Sequence, residues 1–147
     1  MTFAGTFEGG YPAKVWETYL WVALGSGLGG AARLLCSDIA ARLVGLEFPW
    51  GTLTVNVVGS LLIGLVAALV QPSGKFEFGP NVQQFLMVGV LGGYTTFSAF
   101  SLQTLALVRD GHLGKAGAYV VSSVLLCLIA VAMGYAIGSA FAQPQRS

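Results

Sequence analysis

The 147-residue chain is 55% hydrophobic and only 9% charged, far below the roughly 25% charged residues of a soluble domain, so its solvent is lipid. Seven basic and six acidic residues leave a net charge of +1, with no cluster of the kind that nucleic acid or an anionic membrane surface demands. These numbers describe one membrane domain with no nucleic-acid partner.

Residues 1–18 hold Glu8, Tyr11, Pro12 and Glu17 in a glycine-rich stretch. Without the basic start of a secretory signal, they read as a polar extension that is not cleaved. Residues 19–147 read as a single transmembrane domain. A membrane span needs about 20 mostly apolar residues, and four segments qualify: Tyr19 to Ser37, Gly51 to Val70, Phe85 to Val108 and Gly117 to Phe141. The short connections between them carry Pro, Gly and charged residues, as span ends do. The expectation is an all-α subunit with both termini on one side.

Orientation normally follows an excess of Lys and Arg on the cytoplasmic side. Here Lys14, Lys75 and Arg146 on the side of the termini face Arg42, Arg109 and Lys115 on the other, and the tie selects neither. A chain with no bias inserts both ways and can pair antiparallel with itself. In the alternative, lipid composition or one loop sets a single topology.

Span one contains the GxxxG pair Gly25/Gly29, and Gly89/Gly93 and Gly134/Gly138 repeat it, with Ser60/Gly64 as a small-xxx-small relative. Such pairs let helix backbones approach closely, so helix association is expected. Gly25 to Gly30 also satisfies GxGxxG, but no strand-turn-helix unit surrounds it, and nucleotide binding is set aside. Cys36 and Cys127, far apart and with no neighbouring His, read as small buried hydrophobes.

In span two, Thr52, Asn56 and Ser60 fall four apart on one helix face. Asn56 is either a helix-helix clasp worth about 1 kcal/mol or a donor on a polar path. Span three carries the run from Gly92 to Ser101, two glycines and four hydroxyls inside an apolar segment. Lipid tolerates such a stretch only where protein buries it or where it lines a watery path. Phe97, Phe100, Ser101 and Thr104 share a face there, with Ser98 to its side; the Phe pair suits either core packing or a lined route. Tyr119 and Ser123 add a polar pair on span four.

Apart from Arg33, and Asp38 at the end of span one, the spans hold no ionisable residue. Proton relays need one, which weighs against a small dual-topology proton-coupled drug exporter. No nucleophile-base pair supports catalysis either, and the lone His112 reads as a solvated loop residue. A path of neutral donors and aromatic edges suits a small anion, because ring edges carry the positive end of the quadrupole. Hydroxyl and carbonyl oxygens could equally serve a cation. A noncatalytic scaffold is the third reading.

Three elements together carry a resemblance. The run Gly92 to Ser101 resembles the GGxTTFSTFS signature of the Fluc (CrcB) fluoride channels. Gly51 to Ser60 is similar to their GTLxVNxxGS element, and Gly29 to Arg33 to their GGxxR ending. The likeness covers about residues 19 to 141. It implies a passive fluoride export channel of the cell (inner) membrane that confers fluoride resistance, built as an antiparallel dual-topology homodimer. It implies a third helix broken at Gly92-Gly93, and a structural sodium ion at the dimer centre held by the backbone carbonyls of Gly92 and Thr95. Asn56, Phe97 and Phe100 match pore residues, Ser98, Ser101, Tyr119 and Ser123 a polar track, and Arg33 a residue near the aqueous vestibule. Ala99 departs from the Thr common in the signature, and residues 1–18 match nothing in the family.

Overall fold

The computed structural model describes residues 14–70 and 78–142. Every regular element among them is helical: α1 (Lys14–Val44), α2 (Trp50–Leu69), α3 (Pro80–Gln84), a π-helical segment Phe85–Leu91, α4 (Gly92–Tyr94), α5 (Phe97–Arg109) and α6 (Leu113–Ala142). Four spans are long and apolar enough to cross a membrane, Val15–Val44, Trp50–Leu69, Pro80–Arg109 and Leu113–Ala142. They match the four expected segments, the second shifted by one residue and the other three extended at both ends. Residues 1–13, with most of the expected polar extension, and the charges Lys75 and Arg146 lie outside the described residues.

Local chemistry sets the boundaries. Glu17 in the first turn of α1 and Arg42 in its last turn complement the helix dipole. Gly45 then ends the helix at φ 99°, a left-handed cap that glycine adopts without a Cβ penalty. At the end of α5, Gly111 at φ 80° sends its N–H to Val108, while the His112 N–H reaches the Leu107 carbonyl. That pairing closes the helix as a Schellman motif.

Close approach holds the bundle together. A Cβ on Gly25 would lie 2.9 Å from the Gly89 Cα, and one on Gly93 would lie 2.8 Å from the Ser26 Cα. The Gly25/Gly29 and Gly89/Gly93 pairs therefore dock against each other within one subunit. Likewise Gly134 and Gly138 of α6 meet Leu61 and Leu65 of α2, and Gly64 meets Val131. The expected helix association is present, and its glycines are used inside the chain. The opposite face of α1 stays open, with Leu20, Leu24, Leu28 and Leu35 all more than half exposed, as lipid-facing residues are.

The third span departs from expectation in one respect. Gly92 and Gly93 are helical, and the chain leaves the helix only at Thr95 (φ −80°, ψ 157°) and Thr96 (φ −152°, ψ 114°). The break is thus at Thr95-Thr96, and not at Gly92-Gly93. Gly93 is there because Ser26 of α1 leaves no room for a side chain; the extended threonines are held by contacts with α2.

Candidate functional site

The break is stitched to α2 by one side chain. Asn56 donates from Nδ2 to the Thr96 carbonyl at 3.0 Å and accepts from the Thr96 N–H at Oδ1, 2.8 Å away. This two-way pairing satisfies backbone groups that an interrupted helix leaves over. Thr95 turns back on its own helix, both its N–H and its hydroxyl donating to Leu91. The Thr96 Oγ1 caps α5 by accepting from the Ala99 N–H at 3.2 Å, and it lies 3.1 Å from the Ser98 hydroxyl. The carbonyls of Gly92 and Thr95 are among those that lose the donors an unbroken helix would offer them. The Thr96 N–H, due to Gly92, goes to Asn56, and the Ala99 N–H, due to Thr95, goes to Thr96.

Beside the break, α2, α5 and α6 enclose an open groove of about 360 Å³. Its polar wall is Asn56, Ser60, Thr95, Thr96 and Ser123; its apolar wall includes Phe97, Phe100 and Cys127. The lining carries no charge. Ser123 is 6% exposed, and its hydroxyl is buried without a hydrogen-bond partner among the described residues. A hydroxyl in that state costs free energy of about 1–3 kcal/mol, so an anchored ligand there would be stabilising. The Phe97 and Phe100 rings stand 5.3 Å apart at 43°, and Phe97 is 78% exposed. Phe100 rests on Tyr119, centroids 5.1 Å apart, and the buried Tyr119 hydroxyl donates to Gln103 Oε1 at 2.9 Å.

The structure brings Asn56, Phe97, Phe100, Thr95 and Ser123 together at this groove and sets Tyr119 directly behind Phe100. Ser98 and Ser101 are exposed and outside the lining, and the Ser101 hydroxyl is spent on the Phe97 carbonyl, 2.9 Å away. Arg33 is half-buried on α1, away from the groove. Gly92 is exposed; a Cβ there would meet only the Met87 carbonyl, at 3.6 Å. Sequence reasoning missed Gln103, although an amide inside an apolar span was a readable signal. It also missed Phe48, which had none. A second cavity of similar size is lined by Thr52, Gln103, Trp50, the carboxylates of Asp38, Glu47 and Asp110, and Phe48, whose ring packs on Tyr119.

Comparison with known proteins places this geometry in a family. The family model described as "CrcB-like protein, Camphor Resistance (CrcB)" matches residues 20–135. A protein of Opitutus terrae named fluoride-specific ion channel FluC is 54% identical over 117 residues, 80% of this chain and 89% of that one. Proteins of the same name from Methylocella silvestris and Rhodospirillum rubrum are 46% identical over 125 residues and 50% identical over 118. They cover 85% and 80% of this chain, and 95% and 92% of their own length. The match reaches into all four spans of a multi-pass membrane protein and takes in every residue of the groove, and the chain belongs to the CrcB-like family.

Proposed function

We propose that this protein is a fluoride-selective ion channel of the cell membrane, giving passive exit of cytoplasmic fluoride, and that it works as an antiparallel dual-topology homodimer. The carrying observation is the buried, unpartnered Ser123 hydroxyl in a neutral groove shared with the Asn56 amide. The names of the relatives support fluoride as the ion.

Chemically, the groove offers a small anion what water offers it. Asn56 Nδ2 carries two hydrogens; one is given to Thr96, and the other is available to an anion. The Ser123 O–H is a second donor, and the edges of Phe97 and Phe100 add positive quadrupole ends. With no fixed cation in the lining, the anion is held without being trapped, as conduction requires. An inside-negative potential then drives fluoride outward at about 2.3 kcal/mol per 100 mV for each charge, without a pump or an enzymatic step. A proton-coupled exporter would need an ionisable group on the route; the groove lining is neutral.

The dimer belongs to the same proposal. Phe97 is a large ring exposed at the groove edge, and a second copy laid across it would complete the wall. The carbonyls of Gly92 and Thr95, deprived of their helical donors, fit a structural sodium ion, which would supply positive charge to oxygens left without N–H partners. Gly92 sits on an open face, as that role requires.

Purified protein in liposomes loaded with fluoride tests the reading, with external fluoride followed by an ion-selective electrode. Rapid release on addition of a potassium ionophore is the expected result. Release no faster than from empty liposomes would overturn it.

A further inference from the structure

We infer that Phe48, in the loop between α1 and α2, is a positioning residue for the anion route, acting through Tyr119 on Phe100; the inference rests on the channel reading above. Five rings form a continuous ladder. From Phe97 to Phe100 the centroids are 5.3 Å apart, from Phe100 to Tyr119 5.1 Å, from Tyr119 to Phe48 5.4 Å and from Phe48 to Trp50 4.7 Å. Its first two rings line the groove and its last two line the second cavity. The ladder therefore runs from the groove to the second cavity.

Tyr119 is the fixed rung. It is fully buried, and its neighbours hold it: Phe100 on the groove side, the Phe48 ring edge-on at 83°, and Gln103 and Thr52 at its hydroxyl. Phe48 alone among these comes from a loop. The loop is tied down by the left-handed turn at Gly45, the Trp50 N–H bound to the Phe48 carbonyl at 2.7 Å, and an exposed Glu47–Lys115 ion pair at 3.6 Å. Without the Phe48 ring, Tyr119 loses its loop-side support, and Phe100 loses the fixed surface on which it rests. An anion-contacting ring that wanders recognises poorly, since a site works only when the residues behind it lock it.

The experiment compares fluoride efflux and fluoride-over-chloride selectivity for Phe48→Leu, Phe48→Ala and Phe48→Tyr in liposomes. It adds fluorine NMR of fluorotyrosine-labelled protein, with the Tyr119 line assigned through Tyr119→Phe. Phe48→Leu and Phe48→Ala should lower flux or selectivity about tenfold, the factor one aromatic pair supplies, and broaden or split the Tyr119 line. Phe48→Tyr, which keeps the ring, should behave as the parent. If Phe48→Ala fails to fold, Phe48→Leu, with most of the apolar volume, decides. Parental flux, selectivity and Tyr119 line in Phe48→Leu would overturn the inference. A parent protein that releases no fluoride would instead sink the channel reading, while the NMR comparison still judges whether Phe48 fixes Tyr119.

Discussion

Asn56 and Thr96, forty positions apart in sequence, pair through two hydrogen bonds in opposite senses, the side-chain amide of one imitating a backbone partner for the other. The residue that offers a donor to the groove therefore also holds the helix break in place. Clasp and pore residue, which the sequence leaves as alternatives, are compatible in one side chain because the amide has more hydrogens than the clasp consumes.

Asn56→Asp strikes both roles at once. The substitution keeps Oδ1 for the Thr96 N–H but sets a carboxylate oxygen against the Thr96 carbonyl, leaving that acceptor unsatisfied at a cost of about 1–3 kcal/mol. It also puts a negative charge where an anion must pass, opposing entry by several kcal/mol and cutting flux by about 100-fold or more. Efflux and thermal unfolding in detergent should both fall. Normal flux in the variant would remove Asn56 from the path.

Neighbouring glycines should answer alanine differently. At Gly93 a Cβ would lie 2.6 Å from the Ser26 carbonyl oxygen, whereas at Gly92 its nearest neighbour is 3.6 Å away. Gly93→Ala should therefore push α1 off the third span and destabilise the subunit by about 1–3 kcal/mol, as overpacking does, read as a lower melting temperature. Gly92→Ala should leave the subunit fold intact. Gly92→Val, reaching further from the open face, should weaken dimer assembly on size exclusion and lose flux with it. A stable Gly92→Val dimer with parental flux would contradict a central cation at that carbonyl.

Much of this was readable from residue types. The stripe Thr52, Asn56, Ser60 and the four GxxxG-like pairs follow from helical periodicity, and the structure uses each stripe as a contact face. The position of the break was not readable, because a glycine serves close approach and helix interruption equally well. Only the contact between Asn56 and Thr96 decides where the chain leaves the helix. Ser98 and Ser101 fall outside the groove although they share α5 with Phe97 and Phe100: both serines are exposed, and the Ser101 hydroxyl turns back to the Phe97 carbonyl. The ring ladder was illegible for another reason, since Phe48 and Tyr119 meet only after α1, α2 and α6 have packed.

Ser123→Ala carries a signature that few pore variants share. The hydroxyl is buried and unpaired, and replacing it with a methyl group removes an unsatisfied polar atom, which is neutral or stabilising. The variant should melt at or slightly above the parent temperature while fluoride flux falls by about tenfold, the equivalent of one hydrogen bond to a charged group. A loss of stability would show that Ser123 serves the fold, and unchanged flux would take it off the route.

Topology offers the last test. The structure puts the α1–α2 and α5–α6 connections at one end of the bundle, where Lys115 bridges to Glu47 and where Arg42 and Arg109 close their helices. In the sequence-based expectation, Lys14, Lys75 and Arg146 balance these charges from the other side. Two or three added lysines within residues 71–77 should bias nearly all copies to one orientation, because short loops rich in Lys and Arg stay cytoplasmic. An antiparallel pair cannot form from a single orientation. The biased variant should therefore release no fluoride when expressed alone, and should recover release when co-expressed with a copy biased oppositely by lysines around Arg109 to Lys115. Activity of the biased variant by itself would refute dual topology and would point to a parallel assembly, with the groove residues keeping their roles.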